Sequence, residues 1–338
     1  MPISLPLSVH TTYRDLLEMH RIQSISEIGG TPFLKELPQG KYWYARQRIG
    51  DSPVDRYIGP DSQALRDRLD RAKGDHETQK DFDRRAARLV AQLRGAGLPT
   101  VDRTTGKVLN AMARVGVFRL GGTLVGTHAF RLYGAELGMA FPGAMAVTED
   151  VDIAAFENLK LVIEDNVDPS LAETLRALHL EPAPGLDRKQ RPTRWVMRGG
   201  GTMVDFLVPL MREGRNIVHL KPLGVYAQGL AFLNFLIAEP IAAVALYRSG
   251  VLVQIPRPER YAIHKLIVAQ RRAASTRAKI VKDLAQAHAL IGALVEDRPH
   301  ALEEAYETAR EHGPKWRDAI QRSLKQRPEI RKLLSSLA

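Results

Sequence analysis

Cysteine is absent from the 338-residue chain. That absence excludes disulfides, thiolate zinc sites, iron–sulfur clusters and cysteine nucleophiles together. No run of about 18 apolar residues is present, so no membrane-spanning helix is expected. The opening residues, MPISLPLSVHTTYRDLLEMH, lack a basic stretch followed by an apolar stretch and a cleavage site. This argues against secretion, and a cytoplasmic protein is expected by elimination. Internal repeats and low-complexity segments are missing too. So are several short enzyme signatures: the G-x-G-x-x-G dinucleotide turn, the G-x-x-x-x-G-K-[ST] phosphate loop, an H-E-x-x-H pair among the ten histidines, and a G-x-S-x-G elbow. Rossmann, P-loop, zinc-hydrolase and α/β-hydrolase chemistry therefore have no support.

What is present is an ordinary globular composition, 44% hydrophobic and 26% charged, long enough for two or three domains. The net charge of +11 is unevenly spread. Residues 1–110 hold 18 basic and 14 acidic side chains, residues 111–240 hold 13 and 14, and residues 241–338 hold 18 and 10. A near-neutral centre between basic ends implies a chemical core with arms suited to a polyanion, although Lys and Arg also simply solvate helices.

Three regions follow from the texture of the chain. Residues 1–110 read as a helix over 8–30, stopped by Gly29-Gly30, then a hairpin of KYWYARQRIG (41–50) and VDRYIG (54–59), then one long charged helix from Ser62 to about Gly97. The hairpin interleaves Tyr42, Trp43 and Tyr44 with Lys41, Arg46 and Arg48. That pattern can stack on bases, though packing is the commoner use. Residues 111–240 alternate β-rich runs (115–122, 147–155, 194–198, 202–210) with helices over 128–138 and 169–180, which predicts an α+β core with a mixed sheet. Residues 241–338 read as a hairpin turning at Ser249-Gly250, then helices, with Pro258 suited to a first helical turn.

Chemistry concentrates in the centre. In Glu149-Asp150-Val151-Asp152-Ile153, strand alternation places Asp150 and Asp152 on one face, about 6–7 Å apart. Such a pair can hold hard divalent cations such as Mg²⁺. Upstream, LVGTHAF (124–130) ends an apolar strand in Gly126-Thr127 where a helix begins, and helix amides there can cradle phosphate. Gly121-Gly122-Thr123 is a second candidate turn, less suited because Leu124-Val125 continues the strand. Downstream, Asp205 interrupts the apolar run Val204–Leu207, where a charge is costly without a metal or a partner.

In this order the three pieces resemble the nucleotidyltransferase superfamily with the DNA polymerase β-like fold. The nearest likeness is to bacterial members related to abortive-infection and toxin–antitoxin nucleotidyltransferases. The resemblance covers about 115–285. It implies a polymerase β-like core with an N-terminal helix and hairpin arm and a C-terminal helical domain. It further implies transfer of a nucleotide from an NTP, with Gly126 and Thr127 on the triphosphate, and Asp150, Asp152 and Asp205 on Mg²⁺ or Mn²⁺ and on the attacking hydroxyl. Residues 254–273 and 282–287 share the likeness. There Lys265, adjacent to His264, matches the helical lysine that reaches nucleotide phosphates; Lys282-Asp283 matches a downstream basic–acidic pair of less evident role. For the acceptor, Arg271, Arg272, Arg277, Lys279 and Lys282 fall within twelve residues and favour nucleic acid, RNA such as a tRNA end, if they share a face. A protein-modifying AMP transferase, an antitoxin or other protein partner, and a non-catalytic nucleic-acid-binding protein of the same fold are the competing expectations.

Overall fold

The computed structural model describes residues 3–28, 30–49, 52–74, 79–142, 150–156, 170–183, 191–199, 201–210, 216–221, 223–272 and 276–337. The chain opens with β1 (Ile3–Ser4) and the long helix α1 (Leu7–Ile28), then β2 (Thr31–Leu37), β3 (Gly40–Ile49) and β4 (Ser52–Pro60). These last three form an antiparallel sheet, so the expected hairpin has a third strand, joined to it through Pro38-Gln39-Gly40. Its aromatics are packed: Tyr44 is fully buried against Tyr57 and Phe33, and Lys41 and Arg46 pair with Glu36 and Asp55.

Helices α2 (Gln63–Gly74), α3 (Gln79–Gly95) and α4 (Arg103–Arg114) follow. The single long helix predicted from Ser62 to Gly97 is thus described as two helices, with 75–78 outside the described residues. Both lie on α1, α2 burying Leu69 and α3 burying Phe82, Ala86 and Leu93. Asp102 caps α4, accepting the amides of Thr104 and Thr105 at 2.9 Å each.

The stretch 115–122, expected as a strand, is a series of turns. Val115, Val117, Phe118 and Leu120 are all buried, so no face alternates, and Gly116 and Gly121 take the left-handed φ values of +92° and +88° that turns require. Then come β5 (Thr123–Val125), α5 (Gly126–Leu137), β6 (Met139–Ala140), β7 (Asp150–Ala154), α6 (Leu171–Ala177), β8 (Leu180–Pro182), β9 (Arg194–Met197), β10 (Met203–Pro209), β11 (Ile217–Leu220) and β12 (Val225–Leu230). The helix expected over 169–180 is shorter, because His179 turns to a φ of 63° and Leu180 begins β8. Glu149 and the rest of 143–149 lie outside the described residues.

The central sheet runs β11-β12-β10-β7-β5, with β9 on the near half of β10 and β8 on β9. β10 is parallel to β7 and β12, while β5–β7, β9–β10, β8–β9 and β11–β12 are antiparallel. This is the mixed sheet of a mixed α/β protein. Helix α7 (Leu233–Ile237), the antiparallel pair β13 (Ile241–Ala245) and β14 (Val251–Ile255), and helices α8 (Pro258–Ala269), α9 (Arg277–Asp297), α10 (Pro299–Glu311), α11 (Pro314–Gln326) and α12 (Pro328–Leu334) complete the chain. Pro258 occupies the first turn of α8, where its missing N–H costs nothing.

One apolar core extends from Tyr44 through the sheet to Leu334 on α12. A smaller one gathers Tyr13, Leu16 and Leu17 of α1 with α3, Ala135 and Val244. Polar ties hold α1 there: Tyr13 Oη accepts the Val244 amide at 3.1 Å, and His20 Nε2 lies 2.9 Å from the Ser249 carbonyl oxygen. Among the described residues, no helix is long and apolar enough to cross a membrane.

Candidate active site

The carboxylates stand where two parallel strands run side by side. Asp205 on β10 is the register partner of Asp152 on β7, and such pairs of Cα atoms lie about 4.8 Å apart. Asp150 is two residues back on the same face of β7, while Val151 and Ile153 point fully buried into the core. Beyond β7 the antiparallel β5 places Val125 opposite Asp152, so the following residue, Gly126, starts α5 against that carboxylate. Gly126 has φ +67°, and a Cβ there would collide with Asp152 Oδ2. Glycine is therefore demanded twice, by backbone conformation and by the closeness of the carboxylate. No side chain caps α5, whose N-cap is Val125. Its leading amides are open to an anion.

Electrostatics make this corner distinctive. Burial, then the carboxylates of Asp205 and Asp150, push the Asp152 carboxyl up to about 7; Lys265 and Arg194 act in the opposite sense without cancelling it. Asp205 finds a partner that sequence reading did not supply. Arg194, its register partner on β9, donates through Nε (2.6 Å) and Nη2 (2.8 Å) to both carboxylate oxygens. That hydrogen bond and the charge behind it raise the guanidinium's proton affinity further. Arg194 remains 52% exposed. Among the described residues, no three His, Asp or Glu side chains are already drawn around one point. The donor set nevertheless fits a hard divalent cation: carboxylate oxygens only, on adjacent strands.

Behind the carboxylates α8 and α9 close the site. The Tyr261 hydroxyl donates to the Gly126 carbonyl at 2.8 Å and lies 3.1 Å from Gln286 Oε1, pinning α8 and α9 to the start of α5. Lys265, the lysine matched by resemblance, is buried and bonded to Asp283 at 2.6 Å. Asp283 is fully buried and also accepts from Arg272 Nε at 2.5 Å. Burial drives the Asp283 carboxyl upward, but the two cations outweigh it and hold it below the ordinary value. Burial lowers the Lys265 ammonium in turn, with Asp283 opposing. The side chain that meets the start of α5 is Lys282, whose ammonium donates to Thr127 Oγ1 at 3.2 Å. Of the five basic residues expected to share a face, Arg272 and Lys282 turn inward, Arg271 covers the Phe232 ring, and Arg277 and Lys279 stay exposed. They do not form one continuous surface.

A family model described as nucleotidyltransferase matches residues 103–311. The chain belongs to that family. The match begins at α4 and ends at α10, enclosing every residue of the site and leaving out α1 with the three-stranded sheet. Searches of curated proteins and of solved structures found no match.

In this nucleotidyltransferase, sequence reading located Gly126, Thr127, Asp150, Asp152 and Asp205, which the fold brings to one corner. It missed Arg194, Tyr261 and the anchoring role of Asp283. A signal for Asp283 was present: an acid between Ile280, Leu284 and Ala287 on an apolar helix face needs a partner for the reason Asp205 does. Nothing local flagged Arg194, whose pairing with Asp205 exists only once β9 and β10 are in register.

Proposed function

We propose that this nucleotidyltransferase uses a polymerase β-like core to transfer a nucleotide from an NTP to a hydroxyl of RNA, with a divalent cation held by Asp150, Asp152 and Asp205. The observation that carries the reading is the meeting of three carboxylates with the uncapped start of α5, where Asp152 takes up its proton near neutrality. When bound, Mg²⁺ or Mn²⁺ supplies charge neutralisation for the triphosphate and for the attacking oxygen. The protein's own groups do the rest. The leading amides of α5, with Thr127 and Lys282, receive the triphosphate oxygens. Lys265 supports them at one remove, because its ammonium is committed to Asp283.

The acceptor oxygen attacks the α-phosphorus, its bond forms as the bond to the bridging oxygen breaks, and pyrophosphate leaves. The hydroxyl proton passes to Asp205, which requires Arg194 to release at least one of its two contacts. RNA is favoured as acceptor because 18 basic against 10 acidic side chains lie in 241–338, the stretch that supplies α8 and α9 behind the carboxylates.

The test is incubation with each labelled NTP, Mg²⁺ or Mn²⁺, and total cellular RNA or protein. Label in RNA is expected. Failure of all four NTPs to bind with either metal would remove the enzymatic reading, and label in protein alone would move the acceptor to a side-chain hydroxyl.

A further inference from the structure

At the far end of α5 the chain encloses a second chamber that the transfer reaction does not use. It is a cavity of about 980 Å³ between α1, β4, α2, α4 and the β13–β14 pair, and it contains none of the site residues named above. Glu136 lines it, ten residues along α5 from Gly126, which puts the two sites roughly 15 Å apart along one helix.

Six arginines face this space: Arg14, Arg21, Arg56, Arg68, Arg114 and Arg119. The acids on its wall are already engaged. Glu136 is shared by Arg14 and Arg298, both at 3.2 Å, and Glu239 by Arg257 at 3.1 Å and Arg260 at 3.5 Å. Asp83 accepts from Ser249 Oγ at 3.0 Å. Arg68 is turned to Glu18, and Arg119 donates to the Tyr57 carbonyl at 2.9 Å. Arg56 is engaged as well, so among the described residues the guanidiniums of Arg21 and Arg114 are left with no hydrogen-bond or ion-pair partner. Arg21 is half-buried. Burial lowers its proton affinity first, with Arg68 and Arg14 acting in the same sense and Glu18 and Glu136 opposing. The remaining wall is mixed, with Leu17, Tyr57, Phe82 and Phe118 beside polar Asn110 and Gln254. Planar guanidinium forks recognise phosphate oxygens, and apolar walls recognise the organic part of a ligand; the volume lies in the range of about 300–1,000 Å³ typical of small-molecule sites.

We propose that this cavity binds an organic polyphosphate of nucleotide size, separately from the catalytic turn, with its phosphates on Arg21 and Arg114. The probe is ATP titrated calorimetrically into the full chain in EDTA, where no divalent ion supports triphosphate binding at the carboxylates. Wild type should bind. Arg114→Glu, at an exposed position that leaves packing intact, and Arg21→Gln should each weaken binding by about tenfold or more, the worth of one charge-assisted contact. Asp150→Asn/Asp152→Asn should change it by less than about twofold, since those residues lie at the other end of the helix. No ATP binding by wild type, unchanged binding in both arginine variants, or loss in the aspartate variant would each overturn the assignment. A short single-stranded RNA that binds through Arg114 where ATP does not would also overturn it, giving the cavity to nucleic acid. Because the readout is metal-free, it is independent of whether nucleotide transfer occurs.

Discussion

Two groups of acids lie within one corner of the molecule, and they are built on opposite terms. Asp283 is fully buried between Lys265 and Arg272, and its single negative charge is met by two cations. Asp150, Asp152 and Asp205 lie together on one face of two neighbouring inner strands, where half-exposed Arg194 pairs with Asp205 and the Lys282 ammonium acts on Asp150. The first arrangement leaves no electrostatic demand outstanding. The second leaves a carboxyl that keeps its proton up to about pH 7. Charge balance thus separates an acid that holds helices together from a cluster in which one carboxyl keeps its proton, though both types interrupt apolar sequence.

Breaking either side of this contrast gives different signatures. Asp150→Ala or Asp152→Ala should lower nucleotide incorporation by roughly 10⁴-fold, since several kcal/mol of charge stabilisation go with the cation. Folding should survive, as read by circular dichroism. Asp283→Asn should do the reverse. Leaving Lys265 and Arg272 buried without their counter-charge should cost about 3–5 kcal/mol in urea denaturation.

The two acids should also slope oppositely with pH. Asp152 binds its proton more tightly when folded, so in metal-free protein its contribution to stability falls as pH rises from about 4 to about 7. Asp152→Asn in EDTA should therefore gain on the order of 2 kcal/mol at pH 8 and almost nothing at pH 4. Asp283 binds its proton less tightly when folded, so its contribution is present above the ordinary carboxylate value and is lost as pH falls through and below it. Denaturation curves of the Asp152 variant across pH 4–8 and of the Asp283 variant across about pH 2–5 check both signs. The smallest effect is expected at the phosphate turn: Lys282→Ala should raise the KM for NTP about tenfold, the worth of one charge-assisted contact, with kcat little changed.

The legible part of the site was the part written locally. Alternation at 150–153, a lone acid at 205 and a glycine between strand and helix at 126 are each visible within a few residues, because strand period and helix start are local properties. What escaped depends on pairing across distance. Arg194 meets Asp205 only through the β9–β10 register, and Tyr261 reaches Gly126 across 135 residues. Lys265 and Lys282 each sit on a helix with an obvious basic character, and only packing shows that the former serves Asp283 while the latter faces Thr127. The same holds for the fold. The mixed sheet and the C-terminal helices follow from periodicity. The turns at 115–122 imitate a strand because buried turns are as apolar as buried strands, and β2, with Pro32 near its start, shows no alternation of buried and exposed positions.

The seat of α1 has a consequence for how the chain is made. Tyr13, Leu16 and Leu17 are covered in part by Val244 and Leu246, and Tyr13 is bonded to the Val244 amide 231 residues further on. At about 5–20 residues per second, the ribosome delivers that hairpin some 10–50 seconds after α1 has emerged. Throughout that interval the helix carries an apolar stripe without its final cover. α1 can seat first on α2 and α3, which follow it closely in the chain, but its cover stays incomplete until β13 and β14 are out.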